Sequence, residues 1–378
     1  MKFLVFAMGP GESSHGYALI KYLTEKNHQA IFALRQHVNL PFYTSDPFFD
    51  LVVTPTPSDL QKLVYTARPD AIILCNSKAF NDTSFVETCP WEGIPTFSID
   101  SNWLFEPKGT YRCIQWLDKY FVAFPPSIFE RGLKENGGHF PIPSSMRERI
   151  EPIGFVPSYQ KPDESVKRRI RQSLSIQQHE KLIFCYVSGY GAGTRNFVLD
   201  MLVPVVHRLR RKGRAIKVFV TGNLSLIKKR SAYQIDWLLL PRQTIIEDFY
   251  AHVASVDLVF MHHGLATIAQ AISAQVPVVA NIALRPVDLS LQSEVGEIMP
   301  LHQAGLCELL YSHFDLSKIQ DTVEALLYDD QKTRKMQQMH RKYYASGEQR
   351  LYTSIMEYLS CIRNPSNIEA ASKLSQKL

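Results

Sequence analysis

The 378-residue chain lacks the features that would commit it to a specialised class. Its apolar stretches are short, and none reaches the ~18 residues a membrane-spanning helix needs. The first strand is expected to begin at Lys2, and no cleavable leader is expected before it. A cytoplasmic protein is therefore expected, with room for peripheral contact at the inner face of a membrane. The six cysteines (75, 89, 113, 185, 307 and 361) have neither C-x-x-C spacing nor histidine partners. That argues against a zinc site and a disulfide framework, and for reduced thiols within apolar runs. There is no short-period repeat, no low-complexity segment and no G-x-G-x-x-G fingerprint. The basic runs Lys167-Arg168-Arg169-Ile170-Arg171 and Arg208-Leu209-Arg210-Arg211-Lys212-Gly213-Arg214 lack interleaved aromatics. They are expected to be solvated helix faces, and no nucleic-acid partner is expected.

What is present is an ordinary globular composition, 45% hydrophobic and 21% charged, in a chain long enough for two domains. Charge is unevenly placed: residues 1–158 carry 14 basic against 16 acidic side chains, and residues 159–378 carry 28 against 20. A basic second half suits an anionic small ligand or an acidic membrane surface. Short apolar runs over 3–8, 30–34, 51–53, 71–74, 96–99, 120–124 and 149–153 alternate with helical patterns such as 17–25 and 58–67. The alternation resumes with strands over 182–187, 217–221, 237–240, 257–261 and 276–280. Helices are expected over 195–212, 247–254, 266–274, 317–328, 332–344 and 347–359, so the chain reads as α/β with parallel sheets. The stretch Pro152-Ile153-Gly154-Phe155-Val156-Pro157 and the charged segment after it mark a boundary. The expected domains are 1–157 and 158–346, with a helix over 347–364 packing back on the first and a flexible tail over 365–378.

Four stretches fall at strand ends. Val256 to Ile282 reads as strand, tight turn, helix and strand, and such a turn points unpaired helix N–H groups at an anion. Gly264 and Ala266 let a diphosphate approach the backbone, and Thr267 adds a hydroxyl. Ser188-Gly189-Tyr190-Gly191-Ala192-Gly193-Thr194 is flexible enough to wrap a phosphate. Met8-Gly9-Pro10-Gly11-Glu12-Ser13-Ser14-His15-Gly16 reads as a loop after the first strand, with a helix starting near Gly16. Ser98-Ile99-Asp100-Ser101-Asn102-Trp103 puts polar groups at a further strand end.

Taken in this order, the motifs resemble the peptidoglycan N-acetylglucosaminyltransferase family and related UDP-glycosyltransferases. Val187 to Asn196 is similar to that family's G-G-S-Q-G-A-x-x-x-N, and Ile245-Ile246-Glu247-Asp248-Phe249 resembles its F-I-x-D-M. His263-Gly264-Leu265-Ala266-Thr267-Ile268-Ala269-Gln270 resembles G-(A/G)-x-T-x-x-E, with Gln270 in place of the glutamate. The resemblance implies a GT-B fold: two Rossmann-like domains whose parallel sheets face an interdomain cleft. It implies a donor site of Gly189, Gly191, Asn196, Ile246, His262, Gly264, Ala266, Thr267 and Gln270, with Gln292 or Glu294 nearest the sugar. Asn102 and Trp103 would meet the acceptor.

The implied activity is inverting, metal-independent transfer of a sugar from a nucleotide-diphosphate donor, UDP-sugar favoured. The acceptor is a hydroxyl on a small molecule, a glycan or a lipid-linked compound, and no cofactor beyond the donor is expected. One base must take the acceptor's proton. Matching the first stretch from the left makes it His15, matching backward from the helix makes it Glu12, and Asp100 orients the base or binds acceptor. Two other readings stand beside this one, a nucleotide-sugar 2-epimerase and a catalytically silent protein that binds a partner or a nucleotide sugar.

Overall fold

Strand β1 (Lys2–Ala7) is Lys-Phe-Leu-Val-Phe-Ala and is buried on both faces from Phe3 onward. That is the pattern of a strand covered by helices on each side. The computed structural model describes residues 1–7, 10–35, 49–54, 56–75, 93–100, 114, 116–135, 147–157, 163–187, 198–222, 235–240, 246–261, 264–282, 293–311 and 315–363. β1 joins β2 (Gln29–Leu34), β3 (Phe49–Val53), β4 (Ala71–Cys75), β5 (Thr96–Asp100), β6 (Lys119–Val122) and β7 (Ile150–Pro152). They form a parallel seven-stranded sheet of order β3-β2-β1-β4-β5-β6-β7. A second parallel sheet of six strands runs β10-β9-β8-β11-β12-β13. Its strands are β8 (Lys181–Val187), β9 (Ile216–Gly222), β10 (Leu238–Leu239), β11 (Leu258–Met261), β12 (Val278–Ile282) and β13 (Glu308–Tyr311). In each sheet the order reverses beside its first strand, between β1 and β4 and between β8 and β11. Ligands of such sheets bind beyond the carboxyl ends at that switch.

Helices cover both faces of each sheet. On the first sheet α1 (Pro10–Glu25) and α11 (Gly347–Arg363) close one face, where Leu19, Leu23, Leu351 and Ile355 pack with Phe3, Phe97 and Phe121. The opposite face carries α2 (Pro57–Ala67) and α3 (Pro126–Glu135). Its apolar cluster continues without a break into the second sheet, through Tyr250 on α6 (Ile246–Ala254), Ile268 on α7 (Leu265–Ala274) and Ile298 on α8 (Ser293–Gln303). The far face of the second sheet is closed by α5 (Val203–Arg211) and α9 (Leu316–Tyr328). α4 (Glu164–Ser173) packs on α6, and α10 (Asp330–Tyr343) on α7 and α9.

Four local expectations change. The helix expected over 195–212 is described as a π turn, Val198–Leu202, followed by α5. Pro204 in the first turn of α5 has no N–H to continue a regular ladder into the turn before it. β12 starts at Val278 rather than at 276, because the Val276 amide closes α7 on the Ala271 carbonyl (2.9 Å) and Pro277 has no donor. β13 is a strand the apolar pattern did not single out. The basic run on α4 is not wholly solvated: Arg171 reaches Asp257 at 3.1 Å and the carbonyls of Ser255 and Glu180. On α5, Arg210 donates to the Ile216 carbonyl at 2.8 Å and lies over the Trp237 ring.

The chain crosses between the sheets twice, and the crossings touch. After β7, the Ile153 and Gly154 amides donate to the Val122 and Phe124 carbonyls, both at 2.9 Å. Gly154 takes φ +99°, a region closed to most side chains. Phe155 then bridges Ser346 on the return crossing, and its carbonyl accepts from the Gly347 amide at 2.9 Å. A Cβ at Gly347 would lie 2.6 Å from that carbonyl oxygen, so no larger residue fits.

Candidate active site

From Pro10 onward the first stretch is helix, not loop. α1 starts at Pro10, six residues before the expected start at Gly16, so Glu12 to Gly16 are helical. Proline suits a first turn, where its missing N–H would have no partner anyway. The helix is then pressed onto the sheet: a Cβ on Gly16 would come within 2.9 Å of Phe32 and 3.1 Å of the Cys75 sulfur. Ser13, Ser14 and His15 are buried as a result.

His15 is 4% exposed, and its Nδ1 lies 2.9 Å from the Val156 carbonyl. A carbonyl oxygen only accepts, so Nδ1 carries the hydrogen and the neutral ring keeps its lone pair on Nε2. Burial lowers the His15 pKa, opposed by the Val156 bond and by the charge of Asp100. The imidazole is therefore held neutral near pH 7, as a base must be. Asp100 ends β5, is 3% exposed and accepts from the Tyr120 hydroxyl at 2.8 Å. Tyr120 is a fully buried member of β6 that the sequence did not mark. Its only signal was a polar-tipped aromatic inside an apolar strand.

Across the seam, α7 starts at Gly264, an N-cap with no side chain to satisfy the first amides. Such an end attracts an anion. Ala266 is half-buried and Thr267 is buried in its first turn. Gln270 is 2% exposed, and its Nε2 donates to the Pro157 carbonyl at 3.3 Å. Its Oε1 is buried with no hydrogen-bond partner among the described residues. α1 and α7 touch, and their two side chains hang from adjacent carbonyls, Val156 and Pro157, of one crossing strand.

The other candidates are placed less fully. Ile246 opens α6, Glu294 lies in the first turn of α8 and Glu12 in the first turn of α1. Gly189, Gly191, Asn196, His262, Gln292, Asn102 and Trp103 lie outside the described residues. Two buried polar groups escaped the sequence reading. Asn281, near the carboxyl end of β12, is fully buried with neither amide atom partnered among the described residues. Glu348 is 5% exposed beside the return crossing, and the signal for it was Gly347 just before a helix. Among the described residues no group of three or more His, Cys, Asp or Glu could hold a metal ion. Among them, too, no helix is long and apolar enough to cross a membrane.

Neither protein-family models nor curated protein sequences give a match to the chain. Solved structures do. MnaA of S. aureus with UDP is 15% identical at a TM-score of 0.65, over 96% of this chain and 98% of that one. The Neisseria meningitidis UDP-GlcNAc 2-epimerase bound to UDP-GlcNAc is 14% identical at 0.65, over 94% and 100%. MurG of Acinetobacter baumannii is 14% identical at 0.60, over 94% and 99%. At such identity the likeness is one of fold, and it runs the length of both chains. With two switch-point sheets joined by a double crossing, the molecule is an α/β protein of GT-B architecture.

Proposed function

We propose that this chain binds a nucleotide-diphosphate sugar, with UDP-sugar favoured, and transfers the sugar to a hydroxyl acceptor with inversion at the anomeric carbon. The observation that carries the reading is Gln270 Oε1, an acceptor buried without a partner among the described residues, one turn inside an uncapped helix end. Leaving such a group unpaired costs about 1–3 kcal/mol, and a ribose hydroxyl arriving with the donor would satisfy it. The diphosphate then meets the free amides of α7, with the Thr267 hydroxyl beside them. MnaA with UDP and the Neisseria meningitidis epimerase bound to UDP-GlcNAc share the fold and lend support.

In the proposed reaction His15 Nε2 takes the proton of the acceptor hydroxyl. The acceptor oxygen attacks the anomeric carbon from the face opposite the nucleotide as the bond from that carbon to the diphosphate oxygen breaks. The leaving diphosphate keeps the electron pair, and the helix amides stabilise its charge. The imidazolium that forms is stabilised by Asp100, which Tyr120 holds in place. This scheme uses no metal and no resident cofactor. The acceptor is a small molecule, a glycan or a lipid-linked compound met from the cytoplasm or at a membrane surface.

Incubation of the protein with UDP-sugars and mixed hydroxyl acceptors, read by NMR at the new glycosidic centre, tests the reading. Transfer with inverted configuration supports it, and retained configuration overturns the base assignment. Sugars epimerised at C2 with donor alone would replace transfer by the epimerase reading, which the shared fold of the Neisseria meningitidis 2-epimerase supports.

A further inference from the structure

Glu348 is a carboxyl group for which the transfer scheme has no use. It lies one residue beyond Gly347, whose amide holds the Phe155 carbonyl, at the point where the two crossings meet. It accepts from the Ser346 hydroxyl at 3.0 Å, and no basic side chain pairs with it among the described residues. The titratable groups facing it are Tyr250 on α6 and Tyr344 on the return crossing. Tyr250 in turn shares a hydrogen bond of 2.8 Å with Ser273 on α7, three residues from Gln270. Burial pushes the Glu348 carboxyl up to about 7, with the Ser346 bond pulling the other way. A buried carboxylate with no cation gains free energy by moving toward water, whereas the neutral acid can stay.

We propose that Glu348 is a positioning residue. Its neutral acid lets the return crossing lie against the strand that holds His15 and Gln270, and its ionisation loosens that contact and lets the domains part. The path is short: Glu348 adjoins the Gly347–Phe155 bond, and the next two carbonyls are those of Val156 and Pro157. Both halves of the proposed site therefore respond to one proton. His15 cannot give the same response, since it is held below its usual value and titrates on the acid side.

The domain separation is measured without ligand, by small-angle scattering of the full chain between pH 5.5 and 8.5. The radius of gyration of the wild type is expected to rise across neutral pH. Glu348→Gln should stay compact throughout. Ser346→Ala, which removes the bond favouring the charged form, should move the transition to higher pH. A pH-independent wild type, or a Glu348→Gln protein that opens as the wild type does, overturns the proposal. UDP titrated by calorimetry gives the functional arm, which rests on the proposed donor site: affinity should weaken several-fold from pH 6 to pH 8 in the wild type and stay level in Glu348→Gln. If UDP does not bind at any pH, the donor reading fails while the scattering still decides the role of Glu348.

Discussion

A histidine that donates Nδ1–H to a backbone carbonyl and is buried beside a carboxylate has one lone pair left to offer. If that lone pair is the base, His15→Gln lowers transfer by roughly 10²–10⁴-fold while UDP binding stays intact. The rate of the wild type should fall only on acidification below the ordinary histidine range, because burial lowers the His15 pKa and only the neutral ring accepts a proton. Steady-state rates over pH 5 to 8 check both statements. Asn281 gives a second residue-scale test. Two orphaned amide atoms are replaced by carbon in Asn281→Leu, so the ligand-free protein should gain about 1–3 kcal/mol. A lower Tm would mean that the amide has a partner. Motif order singled out His15 and Gln270 as candidates, and the structure buries both in helices beside the Val156 and Pro157 carbonyls. Tyr120 and Glu348 were not singled out, since their meaning comes from contacts between distant parts of the chain.

Among the elements, the double crossing is the one that tolerates least. Gly347→Ala puts a methyl group 2.6 Å from the Phe155 carbonyl oxygen, and backbone on both sides has to move. A loss of about 1–3 kcal/mol in urea denaturation is expected, as for overpacking elsewhere. An unchanged midpoint would show that the crossings are not in contact. Most strands were legible as continuous apolar runs, because strands covered on both faces leave little to confuse with a helix. The start of α1 was not. Pro10 and the pair Ser13-Ser14 read as loop, and only Gly16 fitting under Phe32 and Cys75 explains why the helix begins so early. The π turn before α5 and the late start of β12 likewise follow from prolines whose consequences depend on their neighbours.

For the molecule as a whole, two buried groups set opposing pH dependences. Glu348 titrates near 7 when folded against 4.5 in a model acid. Its contribution is fully present below about 4.5 and is lost as pH rises toward 7, an amount of about 3 kcal/mol. His340, whose Nε2 bonds the Leu306 carbonyl, is lowered by burial from 6.5 to about 4. Its contribution is present above 6.5 and is lost as pH falls toward 4. Between about 4.5 and 6.5 the two offset one another in the wild type. Glu348→Gln removes one of them, so its stability relative to wild type should rise from pH 5 to pH 8 by about 3 kcal/mol. Urea unfolding at the two pH values checks this, and a constant difference would contradict it. The pair of parallel-sheet α/β units was legible at this scale because two successive runs of strand–helix alternation are split by a proline-rich boundary, whereas the GT-B arrangement was implied only by the motif resemblance.

Everything proposed for the site depends on a nucleotide diphosphate binding in the cleft between the two switch points. Calorimetric titration of the wild type with UDP, dTDP and GDP at millimolar concentration tests that binding most directly. Binding of one of them, UDP favoured, with several-fold weaker affinity in Gln270→Ala, is the predicted result. No heat of binding from any of the three would contradict the account.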